Sequence, residues 1–230
     1  MSAAVTIVDY GMGNLLSVRR AFEHCGATVQ FAEEARAIEQ AKRLVLPGVG
    51  AFSDGMKGLV ERGLAEPLIR FAGSGRPFLG ICLGMQMMFS HSEEHGRQGG
   101  LGLIEGGVVA IPTRGPGDSS RKVPHIGWAA VQASSDWSAS ALSDAQPGKT
   151  SFYFVHSFHA QPDDRAKLLA ICDYQGCAVT AAVAQDNLLG CQFHPEKSAA
   201  SGLRVLKNWV SSAAMWRARN RDEEDGSGVA

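Results

Sequence analysis

No apolar run in this sequence approaches the roughly 20 residues that a membrane-spanning helix requires. The first residues carry neither a basic stretch nor a long apolar core, so no secretory signal is expected. Charge of one sign is missing as well. The 22 basic and 23 acidic residues leave a formal charge of -1, which offers no footprint for nucleic acid or an anionic membrane. Cysteine is scarce and odd in number: positions 25, 82, 172, 177 and 191 fall in apolar segments, unlike the paired framework of a secreted disulfide domain. A cytoplasmic location is the default expectation, with no nucleic acid and no membrane among the partners.

Metal and cofactor signatures are equally incomplete. Cys172 and Cys177 have no second Cys or His pair at zinc-finger spacing, so they read as core thiols. His91 and His95 would stand one helical turn apart, but Ser92 occupies the place where the metalloprotease pattern needs Glu. A solvated helix end is the better reading of that segment. The phosphate loop ending in Gly-Lys-Ser/Thr is absent. Gly11-Met12-Gly13 follows a strand, yet Leu16 stands where the dinucleotide fingerprint needs its third glycine. Neither a metal nor a cofactor is expected.

What the sequence does have is alternation. Val5 to Val8 reads as a buried strand, Asn14 to Cys25 as a helix stopped by Gly26, and Val29–Phe31, Glu33 to Ala41 and Leu44–Leu46 repeat the theme. A helical stretch from Met56 to Phe71, interrupted near Gly63 and Pro67, leads to an apolar strand at Pro77–Leu79. After Gly99 the texture changes to short strands: 108–111, 129–131, 152–155, 168–171 and 179–183, read as hairpins extending the sheet. Thr113 to Asp118 reads as a loop and Ala199 to Trp216 as a closing helix. The fold class is α/β: a mostly parallel twisted sheet flanked by helices, with antiparallel strands added in the C-terminal half. One domain over residues 1–218 is expected, with 219–230 a disordered polar tail.

The chemistry concentrates at two places. Gly80-Ile81-Cys82-Leu83-Gly84 lies between the Pro77–Leu79 strand and an expected helix at Met85–Phe89, the thiol counterpart of the Gly-x-Ser-x-Gly nucleophile elbow. Glycines remove Cβ atoms where the chain turns sharply, so Cys82 projects at the helix start, where dipole and free N–H groups favour a thiolate. A thiol with an ordinary pKa near 8.5 still needs a base. Far downstream the strand Leu188 to Phe193 runs into His194, with stiff Pro195 and then Glu196. His194 can take the thiol proton while Glu196 fixes the imidazole tautomer.

Those two segments, with Gln86 after the first and Lys197-Ser198 after the second, resemble the paired signatures of the class I glutamine amidotransferases. Val8 to Asn14, Leu46 to Phe52, Val123 to Trp128 and Tyr153 to Ser157 resemble, in order, the branch that supplies ammonia to imidazole glycerol phosphate synthase. The resemblance spans nearly the whole chain and implies a flavodoxin-like fold. It implies hydrolysis of L-glutamine to glutamate and ammonia by the triad Cys82, His194 and Glu196. It also implies a heterodimer with a (β/α)8-barrel synthase subunit, which would use the ammonia on a phosphoribulosyl aminoimidazole carboxamide nucleotide in histidine biosynthesis. The oxyanion hole would combine the N–H of Leu83 with the turn Gly48, Val49 and Gly50. Gln86, Glu94, His156, Ser157 and Phe158 would meet the substrate, and Lys197 and Trp128 would face the partner. Two positions depart from the family's usual pattern: Ala129 stands where Asn is common, and Phe158-His159 replaces a pair that commonly contains Tyr. A glutaminase of another pathway and an idle regulatory subunit are the alternatives, opposed respectively by the Pro124–Trp128 and Asp9–Asn14 segments and by retention of Cys82, His194 and Glu196 together.

Overall fold

The computed structural model of the chain describes residues 3–211. The expected tail at 219–230 and the last expected turn of the closing helix lie outside the described residues. The first half runs β1 (Ala4–Val8), α1 (Leu15–His24), β2 (Thr28–Ala32), α2 (Ala35–Glu39), β3 (Leu44–Gly48), α3 (Phe52–Glu61), α4 (Ala65–Ala72), β4 (Phe78–Cys82) and α5 (Leu83–Met87). Then follow β5 (Phe89–Ser92), β6 (Gln98–Gly99), β7 (Ile104–Ala110), β8 (His125–Ala133), β9 (Ser151–His156) and β10 (Phe158–Pro162). The chain continues through β11 (Leu168–Tyr174), β12 (Cys177–Gln185), β13 (Leu188–Cys191) and α6 (Ala199–Ser211).

A nine-stranded sheet has the order β2-β1-β3-β4-β13-β12-β11-β8-β9. Strands β2, β1, β3, β4 and β13 are mutually parallel, and the remaining pairings are antiparallel. Strands β3 and β4 are buried at every residue, as expected of parallel strands covered on both faces. Helix α1 turns Val18, Ala21 and Phe22 inward at helical spacing and starts at Asn14, whose side chain accepts the Ser17 N–H. Phe22 meets Trp209 of α6 with ring centroids 5.7 Å apart. No described helix is long and apolar enough to cross a membrane.

Four local expectations change. The helical stretch expected at 56–71 begins at Phe52 and is two helices, parted where Gly63 takes φ +65. Pro67 falls in the first turn of α4, where a missing N–H loses no helical bond. The helix expected at 85–89 is instead the single turn α5, beginning directly after Cys82. It stops because Leu101 N takes the Met87 carbonyl while Leu103 N and Ile104 N take that of Met88, leaving neither for another turn. So short a helix contributes little macrodipole at the thiol. His91 accordingly lies in strand β5 and His95 in a turn at φ 55, not on a helix end.

The segment 108–111 does not extend the main sheet. It belongs to β7 in a second sheet of order β10-β7-β5-β6, whose strand β10 the sequence did not announce. Gly106 and Gly107 make this possible. A Cβ on Gly106 would lie 2.3 Å from the Gln161 carbonyl, and one on Gly107 would lie 2.9 Å from the His91 ring. The close approach of the β10 backbone tolerates no side chain at position 106, while one at position 107 would have to push the His91 ring aside.

Candidate active site

Cys82 ends β4 and stands in register with Gly48 at the end of β3. Its backbone sits at φ 54 and ψ -111, a left-handed conformation that costs a non-glycine residue about 1–3 kcal/mol. The flanking glycines are sterically obligatory. A Cβ on Gly84 would lie 1.8 Å from the Leu46 carbonyl, and one on Gly80 would lie 2.8 Å from the Met85 backbone. The strand therefore doubles back at Cys82 into α5 and leaves the thiol 7% exposed at the sheet's carboxyl edge.

Strand β13 runs parallel beside β4 and ends at Cys191, two residues earlier than expected; Gln192 and Phe193 carry the chain to His194. The His194 N–H donates to the Tyr153 carbonyl on β9. Ser198 Oγ donates to the His194 carbonyl at 2.7 Å and accepts the Tyr153 N–H at 2.9 Å, so a buried serine braces the turn. Gly202 lets α6 press on the same turn, for a Cβ there would lie 1.9 Å from the Pro195 carbonyl.

His194 Nδ1 lies 2.8 Å from Glu196 Oε1, and both side chains are 1% exposed. A carboxylate can only accept, so Nδ1 carries a proton toward Glu196, and Nε2 is the nitrogen left to exchange a proton with Cys82. Burial disfavours the charged ring, but Cys82 and Glu196 outweigh it and hold the His194 pKa up at about 10. Among the described residues Nε2 makes no hydrogen bond of good geometry, so its contact with Cys82 is not yet closed. Nucleophile–base contacts of this kind commonly tighten only when substrate arrives.

A cavity of about 260 Å³ joins these groups. That lies just below the range of about 300–1,000 Å³ for drug-sized ligands, a scale suited to an amino acid. Val49, Gly50, Leu83, Gln86, Glu94, His156, Ser157 and Phe158 line it together with Cys82 and His194. Gly48 lies beneath the floor, crowded by the Tyr10 hydroxyl at 2.5 Å and Leu83 Cβ at 3.0 Å from where its own Cβ would be. Gly50, at φ +104, meets only the tip of Met12. The turn expected to complete an oxyanion hole is thus clamped at one end and free at the other.

The lining residues differ in what they leave open. Glu94 Oε2 accepts the N–H of Phe52 at 2.7 Å, which turns its carboxylate inward rather than to solvent. His156 donates from Nδ1 to the Phe158 carbonyl and accepts at Nε2 from His125, so both nitrogens are committed and the ring serves as a wall. Lys197 and Trp128 do not line the cavity. Lys197 is exposed beside the His-Pro-Glu turn, and Trp128, 55% exposed, packs edge-on to Tyr153.

Sequence reasoning missed four supporting groups. Besides Ser198 they are Tyr10, His125 and Gln192. Tyr10 donates its hydroxyl to the Pro47 carbonyl at 3.0 Å, and burial together with the Cys82 charge holds its pKa well above the ordinary phenol value. His125 is stacked between Phe154 and Tyr174. Gln192 is fully buried and lies 3.6 Å from the thiol through Nε2. Only its place two residues before His194, on the same side of an extended chain, hinted at this.

The buried histidines predict an acid transition. Burial lowers His125 to about 4, His156 to about 3 and His159 to about 4. Each binds its proton near pH 6.5 when unfolded but not when folded, so the unfolded chain holds more protons between about 6.5 and 4, and stability falls as pH falls. Each group contributes up to about 1.4 kcal/mol per pH unit. His194 works in the opposite sense: its contribution is complete below about 6.5 and fades as pH climbs toward 10. Melting temperatures should drop steeply from pH 6.5 to 4; a flat profile there would contradict the buried neutral assignments.

Residues 6–213 match the family glutamine amidotransferase class-I. The chain is 50% identical over 211 residues to imidazole glycerol phosphate synthase subunit HisH 1 of Legionella pneumophila (strain Lens), covering 90% of this chain and 99% of that one. It is 46% identical over 210 residues to imidazole glycerol phosphate synthase subunit HisH of Syntrophotalea carbinolica, covering 89% and 98%. A crystal structure of a glutamine amidotransferase superposes with a TM-score of 0.67 at 17% identity, covering 91% of this chain and 98% of that one. PurLQS from Thermotoga maritima superposes equally well, with a TM-score of 0.67 at 18% identity over 94% of this chain and 100% of that one. These two structures share the fold.

Proposed function

From the premise that the chain belongs to the class I glutamine amidotransferase family, we propose that Cys82, His194 and Glu196 release ammonia from L-glutamine for an imidazole glycerol phosphate synthase. The chain is the glutamine amidotransferase subunit of that enzyme, in histidine biosynthesis. One observation carries the catalytic reading: a strained, buried thiol and an imidazole held by a carboxylate open into one amino-acid-sized cavity.

The steps follow from the geometry. The Cys82 thiolate attacks the carboxamide carbon, and the carbonyl electron pair becomes an oxyanion held by the Leu83 N–H and a donor from Val49 or Gly50. His194, holding the thiol proton on Nε2, gives it to the departing nitrogen as the C–N bond breaks, leaving ammonia and a thioester. Water then attacks with His194 as base, and glutamate leaves as the C–S electron pair returns to sulfur. Glu94 faces the cavity as the group for the substrate ammonium, and Gln86 and Ser157 supply polar atoms for the rest of the amino acid.

His194 and Glu196 should be unequal. His194→Ala removes the proton carrier and should cost about 10²–10⁴ in turnover. Glu196→Gln keeps the hydrogen bond's shape and should retain partial activity. Steady-state glutamine hydrolysis checks the order, and a His194→Ala chain retaining more than about a tenth of wild-type turnover would require another base.

The partner is a (β/α)8-barrel synthase subunit. Val49, Ile126 and Trp128, at 38%, 57% and 55% exposure, present apolar surface on the faces that carry the cavity and the neighbouring β8–β9 edge. With Lys197 they form the docking face. The free end of the oxyanion turn lets partner binding swing the Val49 N–H into place, a donor worth about 10²–10³ in turnover. The experiment is glutamine turnover by the chain alone, with the barrel subunit, and with the barrel subunit loaded with its nucleotide. Stepwise stimulation is expected. Full activity in the isolated chain would mean that the hole is preformed and no switch exists.

A further inference from the structure

One carbonyl oxygen orients a buried chain of side chains that ends on the nucleophile's sulfur. The Phe158 carbonyl can only accept, and it lies 2.7 Å from His156 Nδ1 and 3.0 Å from Gln86 Nε2. Both nitrogens must therefore be donors, which fixes the His156 tautomer and the Gln86 amide at once. The Gln86 amino group also donates to Gln192 Oε1 at 3.0 Å. With its oxygen so engaged, Gln192 can turn only its own NH₂ toward Cys82, and that nitrogen lies 3.6 Å from Sγ, within hydrogen-bond reach of a sulfur acceptor. On the other arm His125 Nδ1 donates to His156 Nε2 at 3.1 Å and closes the chain. The Gln192 side chain is fully buried, so no water competes for its N–H.

We propose that Gln192 is a further catalytic residue, whose side-chain N–H holds the Cys82 sulfur as thiolate and stabilises the charge that develops there as the C–S electron pair returns to sulfur when the thioester is cleaved. This rests on the reading of Cys82 as nucleophile. An N–H directed at sulfur lowers the energy of the anion and not of the neutral thiol, so it raises the fraction of reactive thiolate. It also eases the second half of the reaction, where Sγ is the leaving atom. The other titratable groups facing the thiol are His194 with Glu196 behind it, Tyr10 from the loop after β1, and Glu94 and His156 on the cavity wall. Among them only His194 can donate a proton in the reaction, so Gln192 acts beside it as a fixed neutral donor. The Gln86 link gives this donor its orientation.

The test uses the full chain carrying Gln192→Met, which removes the donor at similar volume, and Gln192→Glu, which keeps the acceptor toward Gln86 and replaces the NH₂ by oxygen. The pH dependence of iodoacetamide alkylation at Cys82, followed by peptide mass spectrometry, reports the thiolate directly. Alkylation of Cys82 at neutral pH should slow about tenfold to a hundredfold, the worth of a hydrogen bond to a charged group. Glutamine kcat/KM should fall about tenfold to a hundredfold in parallel. If Gln192→Met does not fold, Gln192→Glu alone decides the matter. A wild-type alkylation profile in a folded variant would overturn the role of Gln192 even with Cys82→Ala inactive. Hydrolysis that survives in Cys82→Ala would instead remove the nucleophile reading and this proposal with it.

Discussion

Cys82→Ala is expected to reduce glutamine hydrolysis to background, a loss of about 10⁴-fold or more, while the fold and partner binding persist. No other thiol can substitute. Cys172 and Cys191 are fully buried, and burial raises Cys172 to about 12 and pushes Cys191 higher still. Cys25 is also raised by burial and donates to the Leu203 carbonyl, on α6 rather than at the cavity. Cys177 lies at the start of β12, outside the cavity lining. A glutamine-like electrophile should label Cys82 alone, and equal labelling of any other cysteine would sink the assignment.

A companion measurement reads the elbow's strain. Glycine usually costs about 0.5–1 kcal/mol relative to alanine, through chain entropy. At Cys82, with φ 54 and ψ -111, glycine adopts the conformation freely and alanine does not. Cys82→Gly should therefore melt at or above the temperature of Cys82→Ala, though both are inactive. The reverse order would show that the elbow holds no strain at its central residue.

Gly84→Ala should be among the most damaging single-methyl changes at the described glycines. The added Cβ would stand 1.8 Å from the Leu46 carbonyl, far inside contact distance, and both partners are backbone. Relief requires parting α5 from β3, which also displaces Leu83 and the oxyanion turn. A loss of about 4 kcal/mol or more is expected, in the rare upper range for point changes. Soluble yield and thermal melting check it. Gly26→Ala is the control: φ is +82 there, but nothing lies within 4 Å, so only the backbone penalty of about 1 kcal/mol applies. Equal stability of the two variants would mean that the elbow is not packed as described.

Much of this protein was legible before any coordinates, because the information is local. The glycines around Cys82 and the stiff Pro195 beside His194 state their backbone demands in a few consecutive residues. The buried runs of β1, β3 and β4 state theirs through apolar residues unbroken by alternation. Hence the parallel half of the sheet, the elbow, and the histidine just beyond the neighbouring strand were all readable.

Contacts between distant residues were not. Gln192 and Cys82 are 110 positions apart, Gln86 and Gln192 are 106 apart, and Phe52 and Glu94 are 42 apart. Which amide end faces a thiol, and whether a glutamate serves a helix N–H or the solvent, depends on packing that no short window contains. The same reason explains the elements that changed. Helix α5 is one turn long because residues 101–104 capture its last carbonyls. Strand β7 joins a second sheet because two glycines admit β10 and β5 on either side. Sequence alone pointed to the proposed nucleophile, its proposed base and the strands that lead to them, since each rests on the conformation of neighbouring residues. Tertiary structure alone decided what surrounds the Cys82 sulfur, because a hydrogen bond's direction is set by both partners and here the partners meet only when the sheet is assembled.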